Sequence, residues 1–160
     1  MPIYMKYNKG AITGDVTAEG HTDWIELGSF QWGVGRGISS PTGASADRES
    51  SAPSISEITV TKAMDKASYA ILNEALQGEG VEVQIDLCKT DKGVLVTYVT
   101  YTLTNTMISG YSVSSGGDQP SESLSLHFTK VEYKYLGRDA VGAEGDPVTV
   151  TYDLAKAKVV

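Results

Sequence analysis

Apolar residues recur at every second position through most of this chain, and at two places the alternation changes parity. In "LSLHFTKVEYKY" (124–135), Leu124, Leu126 and Phe128 keep the even positions, whereas Val131, Tyr133 and Tyr135 keep the odd ones. Successive strand side chains point to opposite faces, so a one-residue slip carries the apolar set to the other side. "WIELGSFQWGV" repeats the event: Ile25 and Leu27 are followed by Phe30, Trp32 and Val34, with Gly28 at the change. A bulge or sharp bend costs least at glycine. Strands that reverse their buried face predict two antiparallel sheets packed across each other, joined by strands that bend at the corners. A short closed or nearly closed β-barrel is the economical form, with an isolated bulge in an ordinary sandwich as the alternative.

The remaining runs agree on a mainly β chain. Ile3, Met5 and Tyr7 alternate with Tyr4 and Lys6, and Ile58 and Val60 follow "SE". Val81, Val83, Ile85 and Leu87 oppose Glu82, Gln84, Asp86 and Cys88. Val99, Tyr101, Leu103 and Met107 oppose Thr100, Thr102, Thr104 and Thr106, and Val148, Val150, Tyr152 and Leu154 oppose Thr149, Thr151 and Asp153. Turn signals such as "DKG", "SGG" and "EGDP" separate them. One segment differs. "DKASYAILNEALQG" has Asp65 as N-cap and Gly78 as stop, and Tyr69, Leu72, Ala75 and Leu76 fall on one side at helical spacing. It predicts one short amphipathic helix whose apolar stripe closes an opening of the β structure.

At 160 residues the chain suits one domain, 1–160, with a core of its own. Its net charge of −7 argues against a nucleic-acid partner, which needs clustered Lys and Arg. "MPIYMKYNKG" lacks the apolar core of a secretory signal, and no apolar run suits membrane insertion. The expected location is the cytoplasm, with any export following a route other than a cleaved signal peptide. Residues 35–54, "GRGISSPTGASADRESSAPS", form the longest unpatterned stretch, small and polar, suited to an arm that orders against a neighbour.

The inventory for catalysis is thin. His21 lies among loop residues, His127 falls on the polar side of its strand, and Cys88 is the single cysteine. They offer no metal-ligand spacing, and no cofactor is implied. Asp86 and Glu82 share the face of Cys88 and oppose thiolate formation. "GVGRG" (33–37) lacks phosphate-loop spacing and opens no helix. The polar faces say more. Thr100 to Thr106 form an uncharged hydroxyl row, and Ser125, His127 and Thr129 a shorter one. Such rows suit hydrated contact with another protein or a pore wall, although threonine is also simply a good strand former. Gln31, between Phe30 and Trp32, points away from the core if those aromatics anchor it.

"WIELGSFQWGVGRGISSPTG", "SEITVTKAMDKAS" and "YTLTNTMISGYSVSSGGDQPSESLSLHFTKVEYKY" together resemble the haemolysin-coregulated protein (Hcp) family, the tube protein of type VI secretion. The resemblance runs from Ile3 into the final strand. It implies a two-sheet antiparallel β-barrel with one short α-helix and a long extended loop, an architecture shared with phage tail-tube proteins. It also implies homo-hexameric rings that stack head to tail inside a contractile sheath and carry a spike protein and small effectors out of the cell. By the same resemblance, Gln31 lines the channel as a candidate cargo contact, and the arm reaches a neighbouring ring, with Arg36, Arg48 and Glu49 as candidate inter-ring residues. Some relatives carry a fused toxin domain, for which a chain stopping at Val160 is expected to have no room.

The leading expectation is therefore a structural secretion component, exported and not an enzyme. The alternatives are a tail-tube protein of a phage-like particle and a monomeric β-barrel binding module for a small ligand.

Overall fold

The computed structural model describes residues 1–39, 42–43, 49–138 and 144–160. In chain order the elements are β1 (Ile3–Tyr7), β2 (Ile25–Leu27), β3 (Ser29–Gln31), β4 (Val34–Gly35), β5 (Ile38–Ser39), β6 (Glu49–Ser50), β7 (Ser54–Ile55) and β8 (Ile58–Ala63). Helix α1 (Ser68–Gln77) follows. Then come β9 (Val81–Asp91), β10 (Val94–Ser114), β11 (Ser121–His127), β12 (Lys130–Arg138), β13 (Glu144–Asp153) and β14 (Lys158–Val159). Every strand pairing is antiparallel.

The ladder runs β2–β1–β9–β10–β11–β8–β3. β2 and β3 are two halves of one strand bent at Gly28, so the circuit returns to its start through the covalent chain. The Gly28 amide donates to Thr61 O at 2.6 Å across that corner. A Cβ there would sit 3.4 Å from the Thr61 hydroxyl, an ordinary contact, so glycine eases the bend without being sterically demanded. β12, β13 and β14 extend the sheet beyond β10. We call β2, β1, β9, the first half of β10 and β12–β14 the long sheet. β3, β8, β11 and the second half of β10 form the short sheet.

Both parity slips mark corners. β11 and β12 follow each other along one edge of β10 without losing register, from Met107↔His127 to Thr104↔Lys130. Leu124, Leu126 and Phe128 enter the core from the short sheet and Val131 from the long one. A third reversal, not expected from the spacing, lies in β10 itself. Asn105 adopts φ 54°, and the pairing with β9 shifts between Leu103 and Thr106. Thr106 is consequently buried and Met107 exposed, the opposite of the alternation read from the sequence. Asparagine tolerates this left-handed conformation better than most residues.

The helix differs from expectation in its orientation. Its start is Ser68, and Asp65 acts just upstream: its carboxylate accepts from the Ala67 amide while its own amide donates to Ser68 Oγ. Gly78 ends it, donating to Glu74 O. Ile71, with Ala67, Ala70 and Ala75, packs on the core, whereas Tyr69, Leu72 and Leu76 face solvent. Val34 is likewise exposed, because β4 has already left the barrel. Val148 and Val150, expected inside, are also exposed. The arm between β3 and β8 is a narrow hairpin at its root, pairing Val34 with Ile55 and Ile38 with Ser50.

A second small cluster lies outside the barrel, where Tyr4, Val16 and Cys88 pack with Ala18, Trp24 and Leu95. The chain after β1 doubles back over the outer face of β1 and β9, with Gly14 N donating to Asp23 O. A Cβ on Gly14 would fall 2.3 Å from Trp24 O, so this close backbone approach requires glycine.

Candidate functional site

Residues paired directly across an antiparallel ladder share a face. On the outer face of the short sheet, Ser29, Thr61, Ser123 and Ser112 make one row. Gln31, Thr59, Ser125 and Gly110 make the next, with His127 and Met107 beyond. Ser29 Oγ and Thr61 Oγ1 are hydrogen bonded at 2.6 Å. Gln31 and His127 are both exposed there. The shorter hydroxyl row read from the sequence thus belongs to a four-strand polar surface that also carries Gln31.

That surface has no Lys, Arg, Asp or Glu side chain for a structural reason. The strands of the short sheet hold only two charged residues, Lys62 and Glu122, and both point into the interior, fully buried. Lys62 Nζ donates to Glu122 Oε1 at 2.7 Å and to Asp65 Oδ1 at 2.9 Å. Ser68 Oγ donates to Glu122 Oε1 at 2.5 Å, and Tyr111 donates its phenol proton to the other carboxylate oxygen. Burial pushes the Glu122 carboxyl up, but the bonds from Lys62, Ser68 and Tyr111, with the Lys62 charge, hold it below the ordinary value. Tyr111 is pushed up to about 12 by burial, then by its bond to Glu122 and that charge. A buried ion pair needs this full set of hydrogen bonds to offset desolvation.

The long sheet presents a different outer face. Thr100 pairs with Asp86 and Lys134, Thr102 with Gln84 and Glu132, and Thr104 with Lys130. The threonine row therefore sits among charges, and Thr106 has left it for the core. It is not a neutral surface, which leaves the plain reading of threonine as a good strand former.

His21, Asp86 and Cys88, scattered in sequence, are brought together and buried under the doubled-back segment. His21 Nε2 lies 2.8 Å from Asp86 Oδ2, 3.4 Å from Thr97 Oγ1 and 3.9 Å from Cys88 Sγ. A nucleophilic Cys–His–acid arrangement places thiol and acid on opposite ring nitrogens. Here both approach the same nitrogen, and Nδ1 has no hydrogen-bond partner among the described residues. Burial pushes the Cys88 thiol up, opposed by its bond to Thr97 and reinforced by the Asp86 charge. The cluster anchors the segment over β9; it does not make a nucleophile. Sequence reading missed it because residues 11–24 carry no period that announces where they fold. Among the described residues no three His, Cys, Asp or Glu side chains are grouped to hold a metal.

Of the arm residues, Arg36 is exposed between β4 and β5. Glu49 begins β6, opposite Ser39. Arg48 lies outside the described residues. Trp32 anchors the arm's root by donating from Nε1 to Ser56 O at 3.1 Å.

A bent-sheet barrel with a filled interior, an uncharged outer sheet and a projecting arm defines a β-barrel built to present surfaces. Residues 4–135 match the family model described as "Type VI secretion system effector, Hcp". The chain belongs to the Hcp family of type VI secretion proteins. It is similar to a solved structure described as a type six secretion system protein (26% identity, 99% of each chain covered, TM-score 0.88). It also resembles Hcp1 from Salmonella typhimurium (20% identity, 99% and 98% covered, TM-score 0.78). A type VI secretion system effector from Yersinia pestis shares the fold (21% identity, 94% and 98% covered, TM-score 0.74). No curated protein matches significantly. The expected fold, mainly antiparallel β in two sheets with one helix, is the one observed.

Proposed function

We propose that this chain is a ring-forming subunit of a type VI secretion tube, a single domain acting by assembly and expulsion, without catalysis. Six copies close into a ring with the short sheet turned to the channel, and rings stack head to tail inside the contractile sheath, with the spike protein and small effectors as partners. The protein stays in the cytoplasm until export. The observation that carries this reading is the outward surface of the short sheet, free of Lys, Arg, Asp and Glu because Lys62 and Glu122 are turned inward. A channel wall must let passengers leave, and hydroxyl groups that keep their water provide contact without tight binding. The barrel interior is filled by Met5, Ile25, Ile85, Leu103 and Leu126, which favours an assembly surface over an internal ligand cavity.

Light scattering on purified protein should give a particle of about six times the 17.0 kDa protomer, and negative-stain images should show annuli. A 17.0 kDa species at every concentration would reject the reading. Within the ring, Gln31 is the proposed passenger contact. Gln31→Arg should reduce effector retention while annuli persist; full retention would remove Gln31 from that role.

A further inference from the structure

Two apolar surfaces are left uncovered by the described residues. On α1, Tyr69, Leu72 and Leu76 form one ridge at i, i+3 and i+7, with exposures of 81%, 41% and 77%. Asn73 and Gln77, hydrogen bonded to each other at 2.9 Å, provide a polar rim beside it. The second surface belongs to the long sheet. Its core-facing side continues past the barrel wall along the registers Val99–Tyr135–Val148 and Tyr101–Tyr133–Val150. Nothing in the described chain covers the far end of these rows: Val148 is 61% and Val150 53% exposed. Val159, paired with Tyr152, adds to the same face at the edge.

Building on the ring reading, we propose that these two surfaces are the two halves of the contact between neighbouring subunits of the ring. The ridge of α1 on one copy seats on the β12–β13 face of the next. A helix ridge and a broad sheet face are unlike surfaces, each present once per chain. Repeating such a heterologous contact generates a ring when the rotation closes. The charges around them are complementary. Between residues 67 and 88 the chain has no Lys or Arg, while Glu74 and Glu79 flank the C-terminal end of α1, where the helix dipole is negative. Lys156 lies in the turn that joins β13 to β14, beside this face, whereas Lys158, paired with Asp153, lies on the outer face of the same edge. None of these four makes an ion pair among the described residues of its own protomer. The seam also extends the core sideways, because Tyr133 already packs its ring 5.4 Å from Tyr101.

The test uses full-length protein with cysteine introduced on both surfaces. Oxidised Leu72→Cys/Val150→Cys should give a ladder of covalent oligomers ending at the ring, since native Cys88 is buried. An equimolar mixture of the two single variants should give dimers and nothing larger. Leu72→Glu, on an exposed position, should keep the wild-type circular dichroism yet weaken ring assembly about tenfold or more. Dimers formed by Leu72→Cys alone would mean helix-on-helix pairing and overturn the proposal. So would undiminished annuli in Leu72→Glu together with annuli of Leu72→Cys/Val150→Cys that fail to cross-link, an outcome that leaves the ring reading standing. If wild type forms no annuli, the ring reading falls and this seam falls with it.

Discussion

Glu122 holds together three side chains, Lys62, Ser68 and Tyr111, from three parts of the chain, and its replacement isolates a buried ammonium. Glu122→Gln keeps the shape but leaves Lys62 without its closest counter-charge, an arrangement that costs roughly 3–5 kcal/mol. Urea unfolding of the two proteins at neutral pH measures that difference. Because the native carboxyl lies below the ordinary value of 4.5, its contribution is complete above that value. It is lost as pH falls through the lowered one. Wild type should therefore lose part of its advantage over Glu122→Gln only in acid below about 4.5; an unchanged difference down to pH 2 would contradict the assignment. At the corner of β10, Asn105→Val forces a β-branched residue into left-handed backbone and should cost about 1–2 kcal/mol, whereas Asn105→Gly should cost less. Equal melting temperatures for the two variants would show that the conformation is not what asparagine serves.

At the level of elements, the corners were legible wherever the residues on either side were unambiguous. Leu27 against Phe30, and Phe128 against Val131, announce a change of face. The reversal at Asn105 was hidden because the polar Thr106 goes inside and the apolar Met107 goes out; asparagine amid threonines was the available signal. The helix was legible in existence and stop, but periodicity marks an apolar stripe without saying whose core it joins. Ile71 and small alanines serve the protomer, and the larger Tyr69, Leu72 and Leu76 remain outside it. The uncharged face of the short sheet was visible only in fragments, since its rows are assembled from four strands distant in sequence. The arm is separable from the barrel by its own pairing at Val34↔Ile55 and Gly35↔Ser54. Replacing residues 36–53 by Asn-Gly, a two-residue hairpin turn, should leave the melting temperature within a few degrees. It should also shorten or abolish stacked tubes while single rings persist. Undiminished tube growth in electron micrographs, or an unfolded protomer, would contradict that role for the arm.

For the whole molecule, the distribution of polarity sets the orientation. The short sheet shows hydroxyls and an amide to solvent, the long sheet shows Lys and Glu, and the apolar ridge and overhang occupy two further patches. The proposed ring uses each of these: the short sheet inward, the charged long sheet outward, and the apolar patches against neighbours. The direct measurement is a cryo-electron microscopy reconstruction of the assembled particle at a resolution that distinguishes the sheets. The expected result is an annulus whose hole is lined by Gln31, Thr59, Thr61, Ser123 and Ser125. A ring that turns this face outward and lines its hole with Lys130, Glu132 and Lys134 would contradict it.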